Sequence, residues 1–138
     1  MNVLSDDRQV EAVLHCAARA LVGESVADPA LYYRENVGGG VALLDAMRAA
    51  GVDRLVFSSS AAVYGAPART PITEDAPLAP INPYGETKRV LEAAMAAYGH
   101  AYGLRSVALR YFNVAGASAQ RGATCARGAA STPRTAGR

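Results

Sequence analysis

Residues 55–88 constrain the fold of this chain more than any other stretch. An apolar run, Leu55-Val56-Phe57, enters three serines, Ser58-Ser59-Ser60, and Asn82-Pro83-Tyr84-Gly85-Glu86-Thr87-Lys88 follows at a distance. The run has the length and side chains of a short buried strand. Asn82 followed by Pro83 is a helix start, a side-chain acceptor at the N-cap and then a residue whose φ is fixed near the helical value. Tyr84 and Lys88 therefore lie one turn apart on one helix face. A cation beside a phenol favours the phenolate and lowers its pKa, so such a tyrosine can act as a general base near neutral pH.

The rest of the chain builds around that stretch. Ala12-Val13-Leu14-His15-Cys16 is a short apolar run of the kind a parallel sheet buries on both faces. Residues 17–27 read as a loop with one helical turn. Asp28-Pro29 repeats the cap-plus-proline signal and predicts a long helix with an apolar stripe of Val37, Val41, Leu44 and Met47, closed by Gly51. Gly38-Gly39-Gly40 conflicts with that helix, at about 1 kcal/mol per glycine relative to alanine. The helix either kinks there or brings its backbone close to a neighbour. Pro67, Pro71, Pro77 and Pro80 make residues 66–80 a surface loop. The second helix runs from Pro83 to about Gly99, with Val90, Leu91, Ala94, Met95 and Tyr98 on its apolar side, and a third strand covers residues 106–109.

The resulting order, β-α-β-loop-α-β, predicts an α/β fold: part of a doubly wound, Rossmann-like parallel sheet. Ligands of such sheets bind beyond the carboxyl ends of the strands. Those ends bring residues 15–19, 58–60 and 111–113 to one rim.

Charge divides the chain in two. Residues 1–118 carry a net −2 and the last twenty residues +4, with no acid after Glu92. No basic patch interleaved with aromatics points to nucleic acid. Cys16 and Cys125 give neither a disulfide framework nor metal-ligand spacing, and no apolar stretch approaches the roughly 18 residues of a membrane span. A cytoplasmic protein that binds neither membrane nor nucleic acid is the expectation. Residues 119–138 hold Ala, Gly, Arg, Ser and Thr but no Leu, Ile, Val, Phe or Tyr, which predicts a disordered tail after a partial domain over residues 1–118.

Three motifs in order carry a family resemblance: Ser58-Ser59-Ser60-Ala61-Ala62-Val63-Tyr64-Gly65, then Pro83-Tyr84-Gly85-Glu86-Thr87-Lys88, then Arg110-Tyr111-Phe112-Asn113. Joined by His15-Cys16-Ala17-Ala18 and Val22-Gly23-Glu24-Ser25, the chain from Val10 to Ala117 resembles the extended short-chain dehydrogenase/reductases of the NAD-dependent epimerase/dehydratase type, in particular the UDP-glucose 4-epimerase group. The resemblance implies an isomerase of galactose metabolism. It would interconvert UDP-glucose and UDP-galactose by hydride transfer at C4, through a 4-keto sugar, with NAD as cofactor.

By the same resemblance Tyr84 is the base, Lys88 depresses its pKa and bonds the nicotinamide ribose, and Ser60 bonds the reacting oxygen. Cys16, Ala17, Ala18, Arg19, Asn36, Ser58, Ser59, Tyr84, Lys88 and Tyr111 are implied on the cofactor side. Ser60, Tyr84, Phe112 and Asn113 are implied on the substrate side. Helices beginning at Pro29 and Pro83 would pair with their copies in a homodimer. Ala61-Ala62, where the sugar 4,6-dehydratases need an acidic pair, favours epimerisation over dehydration.

Ordinary readings stand beside these. On spacing alone Tyr84 is more often a helix-start aromatic and Lys88 a solvated partner. Ser58 to Ser60 fit a polar strand end, Asn113 a turn, Arg19 an exposed loop and His15 a structural position. Glu35-Asn36-Val37 stands where the family commonly has two asparagines before a valine. No glycine-rich phosphate loop precedes the first strand. The expectation is an epimerase piece lacking both ends, impaired in cofactor binding. The alternatives are a remnant or interaction fragment, or an epimerase of another nucleotide-sugar.

Overall fold

Side-chain caps start the two long helical segments where the sequence places them. In the computed structural model, which describes residues 10–114, the Asp28 carboxylate accepts the Leu31 N–H at 3.1 Å and Pro29 occupies the first helical position. The Asn82 side chain accepts the Gly85 N–H at 2.8 Å, again ahead of a proline. Each cap satisfies an amide that would otherwise lack a partner, worth about 1 kcal/mol. The predicted tail, residues 119–138, lies outside the described residues.

The elements follow as β1 (Val13–His15), α1 (Val22–Ala27), α2 (Pro29–Tyr32), a π-helical segment (Tyr33–Gly38), α3 (Gly39–Ala49), β2 (Arg54–Ser60), a 3₁₀ turn (Ala61–Tyr64), α4 (Pro83–Tyr102) and β3 (Arg105–Tyr111). The three strands are parallel in the order β1-β2-β3, with His15 opposite Phe57, Ser59 opposite Arg110 and Ser60 opposite Tyr111. This is the predicted β-α-β-loop-α-β arrangement.

The expected conflict in the first long helix resolves as a π-helical segment that ends at the first of the three glycines, a wider turn of the kind found at functional positions. Gly40 then lies against α4. A Cβ there would stand 2.6 Å from Leu91 Cδ2, so glycine permits the two helices to approach. The second long helix runs past Gly99 to Tyr102 and stops at Gly103, whose φ of 77° suits a residue without a side chain.

Alternation in β2 sorts its side chains onto two faces. Leu55, Phe57 and Ser59 turn toward the helices, and Leu55 and Phe57 join Leu44, Met47, Val52, Leu91 and Met95 in the core. Burial of each large apolar side chain contributes roughly 2 kcal/mol. Val56, Ser58 and Ser60 turn to the other face. Leu14 and Val107, on the outer strands, are exposed there, so β1 is not covered on both sides as expected. Because the strands progress in one direction, right-handed crossovers put both helical layers on the same face.

Candidate active site

The carboxyl end of β2 meets the first turns of α4. Tyr84, Lys88 and Glu92 recur every fourth residue along α4 and so share one stripe of it, directed at the serine end of the strand. Lys88 is only 4 % exposed, in contrast to a solvated partner. Its Nζ donates to the Ser58 carbonyl at 2.8 Å and lies 4.8 Å from the centre of the Phe57 ring and 5.8 Å from that of Tyr84. Burial pushes this ammonium down to about 8, against an opposing effect of nearby Cys16. An amine there exchanges protons close to neutral pH.

Tyr84 is half-buried, its ring edge-on to Tyr32 at 6.5 Å. The close fit of Gly85 fixes its height against the serines. A Cβ on Gly85 would stand 2.6 Å from the Ala62 carbonyl oxygen, so the helix rests on the turn that follows Ser60. The Ser60 hydroxyl, on the outer face, accepts the Ala62 N–H at 3.2 Å. Its proton remains available for a ligand oxygen. Tyr111 stands opposite Ser60 in the register, on the same face.

Two residues read as cofactor contacts have their side chains engaged with other groups of the protein. Asn36 is 5 % exposed: its Oδ1 accepts the Arg19 N–H at 2.9 Å and its Nδ2 donates to the Arg19 carbonyl at 3.1 Å and to Thr87 Oγ1 at 3.2 Å. It holds the loop after β1 rather than offering its amide outward. The reason is its place in the π-helical segment, which turns it inward. Ser59, on the helix-facing side of β2, donates to Glu92 Oε1 at 2.5 Å. Alternation alone sends it away from Ser58 and Ser60.

Cys16, Ala17, Ala18 and Arg19 lie exposed at the carboxyl end of β1, where Arg19 pairs with Glu24 at 3.3 Å. Phe112 and Asn113 are exposed just beyond β3. His15 stacks on Phe57 at 5.6 Å, and burial, then the Lys88 charge, holds its imidazole below the ordinary range. The strand ends thus bring Ser58, Ser60, Tyr84, Lys88 and Tyr111 to one rim with the β1 loop.

Sequence reading missed Thr87, Glu92, Arg110 and Tyr64. Thr87, fully buried, donates to the Tyr84 carbonyl at 2.7 Å and accepts from Asn36, tying α4 to the π-helical segment. Glu92 was legible as an acid in the apolar stripe beside Leu91 and Met95. Among the described residues no three His, Cys, Asp or Glu side chains cluster at metal-binding distance, and no helix is long and apolar enough to cross a membrane.

The chain matches the model of the NAD dependent epimerase/dehydratase family over residues 1–131. A UDP-glucose 4-epimerase of Lactobacillus helveticus is 59% identical over 112 residues, which cover 81% of this chain and 34% of the relative. The crystal structure of a UDP-glucose 4-epimerase from Brucella ovis in complex with NAD superposes with a TM-score of 0.77 at 58% identity, over 78% of this chain and 33% of that one. A UDP-glucose-4-epimerase from Stenotrophomonas maltophila, with bound NAD and formylated UDP-arabinopyranose, gives a TM-score of 0.76 at 46% identity, over 80% and 33% of the respective chains. The chain therefore spans about a third of the length of the relatives it matches. On the family match, the strand order and the serine and Tyr-x-x-x-Lys motifs at one rim, the chain belongs to the NAD dependent epimerase/dehydratase family.

Proposed function

We propose that this chain carries the base-bearing part of an NAD-dependent UDP-glucose 4-epimerase, acting on UDP-glucose and UDP-galactose. The observation that carries the reading is the burial of Lys88 between Ser58 and Tyr84, at the carboxyl end of the central strand. Holding an ammonium out of water costs stability, and a cost kept at this position points to a use for the charge.

The residues present fit a nicotinamide cofactor on its reactive side. Lys88 has three N–H donors and, among the described residues, gives one to the Ser58 carbonyl, leaving donors for a ribose hydroxyl. Ala17 and Ala18 line the β1 end with side chains too small to block a flat ring. Bound beside these residues, NAD+ would supply the hydride chemistry at sugar C4.

The residues of the chain move the proton. Tyr84, with the Lys88 ammonium 5.8 Å from the centre of its ring, takes the proton of the sugar 4-hydroxyl and gives it back to that oxygen. The Ser60 hydroxyl donates to the same oxygen and holds it against Tyr84. Phe112 and Asn113, beyond β3, and Tyr111, opposite Ser60, complete the substrate and nicotinamide sides of this reading. Asn36, Ser59 and Arg19 support the walls.

The test is conversion of UDP-galactose to UDP-glucose by the chain, with NAD+ binding measured beside it. Tyr84→Phe and Ser60→Ala should each lower the rate by about 10²–10⁴ while leaving NAD+ affinity within about twofold. A Tyr84→Phe variant with wild-type rates would overturn the assignment of the base. The reading also carries two coarser proposals: a cytoplasmic setting, in keeping with the free thiol of Cys16, and a homodimer through the helices beginning at Pro29 and Pro83. Cell fractionation and light scattering test them.

A further inference from the structure

Behind the serines lies an ion pair that the proposed chemistry does not use. Arg110 Nη2 stands 2.7 Å from Glu92 Oε2, with Nε at 3.2 Å from both carboxylate oxygens; the side chains are 23 % and 10 % exposed, the least of any ion pair among the described residues. The Ser59 hydroxyl donates to the same carboxylate. Arg110 Nη1 donates to the Tyr64 hydroxyl at 2.8 Å and to the Glu74 carbonyl at 3.2 Å, and the guanidinium lies 5.0 Å from the centre of the Tyr64 ring. One arginine thus joins β3 to α4, to the turn after β2 and to the proline-rich loop.

The placement is specific. Ser59 sits opposite Arg110 in the strand register, so both reach the helix-facing side at one level. Its neighbours do the facing work: the Ser58 carbonyl holds Lys88, and the Ser60 hydroxyl lies on the open face. Glu92 is one turn beyond Lys88 and two beyond Tyr84 on α4. The same helix stripe therefore carries the base, its cation and the anchor of the strand they must meet.

A largely buried pair of this kind contributes little net stability, because desolvation offsets the attraction. A planar fork bound to a carboxylate does fix orientation. Glu92 has no part in the lowered pKa of Lys88, which comes from burial with an opposing effect of Cys16, so the pair acts through position rather than through its field.

We propose that Glu92 and Arg110 are positioning residues that lock Ser59, and so set the Ser58 carbonyl and the Ser60 hydroxyl against Lys88 and Tyr84. The role in turnover rests on the epimerase reading. The geometric lock does not.

The experiment follows the titration of Lys88 by NMR of ε-13C-lysine in the 138-residue chain, assigned with Lys88→Met, in Arg110→Lys, Glu92→Gln and Ser59→Ala. Arg110→Lys keeps the charge and loses the fork; Ser59→Ala removes one hydroxyl. With circular dichroism unchanged, the midpoint should move by about half a unit or more toward the ordinary lysine value, as the Ser58 carbonyl shifts and the ammonium meets water. Where turnover is measured, kcat should fall about tenfold with KM for UDP-galactose within twofold, as for a misplaced reacting group. An unmoved midpoint in the folded variants overturns the proposal, as does a loss of kcat matched by the loss of folded protein. Unfolding of all three variants overturns it in favour of a purely structural pair. A chain without epimerase activity would sink the epimerase reading while the Lys88 midpoint still decides this one.

Discussion

Lys88 Nζ and the carbonyl oxygen of Ser58 are 2.8 Å apart, a hydrogen bond that closes thirty residues of chain onto one point at the end of β2. The bond brings an ammonium out of water, and burial lowers its pKa from 10.5 to about 8.

That shift predicts a stability difference with a definite pH dependence. The folded chain binds fewer protons at Lys88 than the unfolded chain between pH 8 and 10.5, so stability rises with pH across this window. Below about pH 8 the cost of holding the charge is fully present, on the order of 3 kcal/mol from the size of the shift. Lys88→Met removes the cost and keeps the packing on Phe57. The variant should be more stable than the wild type at pH 7 by about 1–3 kcal/mol, and the gain should shrink by about half at pH 9.5. Urea unfolding at both pH values checks this. A wild type more stable than the variant at pH 7 would show that the bond to Ser58 outweighs desolvation.

The loop after β1 should depend on one amide. Asn36 meets both the N–H and the carbonyl of Arg19, so Asn36→Ala leaves two backbone groups and the Thr87 hydroxyl short of a partner, at a cost of about 2–3 kcal/mol. The Arg19 amide should then exchange with solvent about a hundredfold faster by hydrogen-exchange NMR, while amides of β2 keep their order relative to one another. Equal protection of Arg19 in variant and wild type would remove Asn36 from this role.

Caps and apolar periodicity explain how much of the fold was legible. Asp28-Pro29 and Asn82-Pro83 marked helix starts by chemistry local to four residues, and Leu55-Val56-Phe57 marked the central strand by composition alone. The shared face of Tyr84 and Lys88 was legible because the i,i+4 rule needs no tertiary knowledge, and so was the place of Ser60 at the carboxyl end of the strand. Arg110 and Glu92 were not: their meeting depends on the register of β3 against β2, which no short window of sequence contains. The inward turn of Asn36 was hidden for a similar reason. A π-helical segment shifts the face on which its residues fall, and ordinary 3.6-residue periodicity does not anticipate it. Ser59 shows the opposite case, since the two-residue period of a strand already separates it from Ser58 and Ser60.

Two glycines at close packing contacts should respond differently to one added methyl group. At Gly85 the new Cβ would lie 2.6 Å from the carbonyl oxygen of Ala62 and 3.1 Å from Pro80 Cβ, and backbone cannot turn aside. At Gly40 it would meet the Leu91 methyls at 2.6 and 2.7 Å, the far end of a side chain that can change rotamer, and the helix gains about 1 kcal/mol of propensity from alanine. Gly85→Ala should therefore cost about 2–3 kcal/mol, and Gly40→Ala about 1 kcal/mol or less. The displacement at Gly85 also lifts Tyr84 off the serine turn, so turnover should fall further in Gly85→Ala than its folded fraction accounts for, and in Gly40→Ala it should follow the folded fraction. Thermal melts beside rate measurements separate the two effects, and a Gly85→Ala variant as stable and as active as Gly40→Ala would show that α4 is not seated on Ala62.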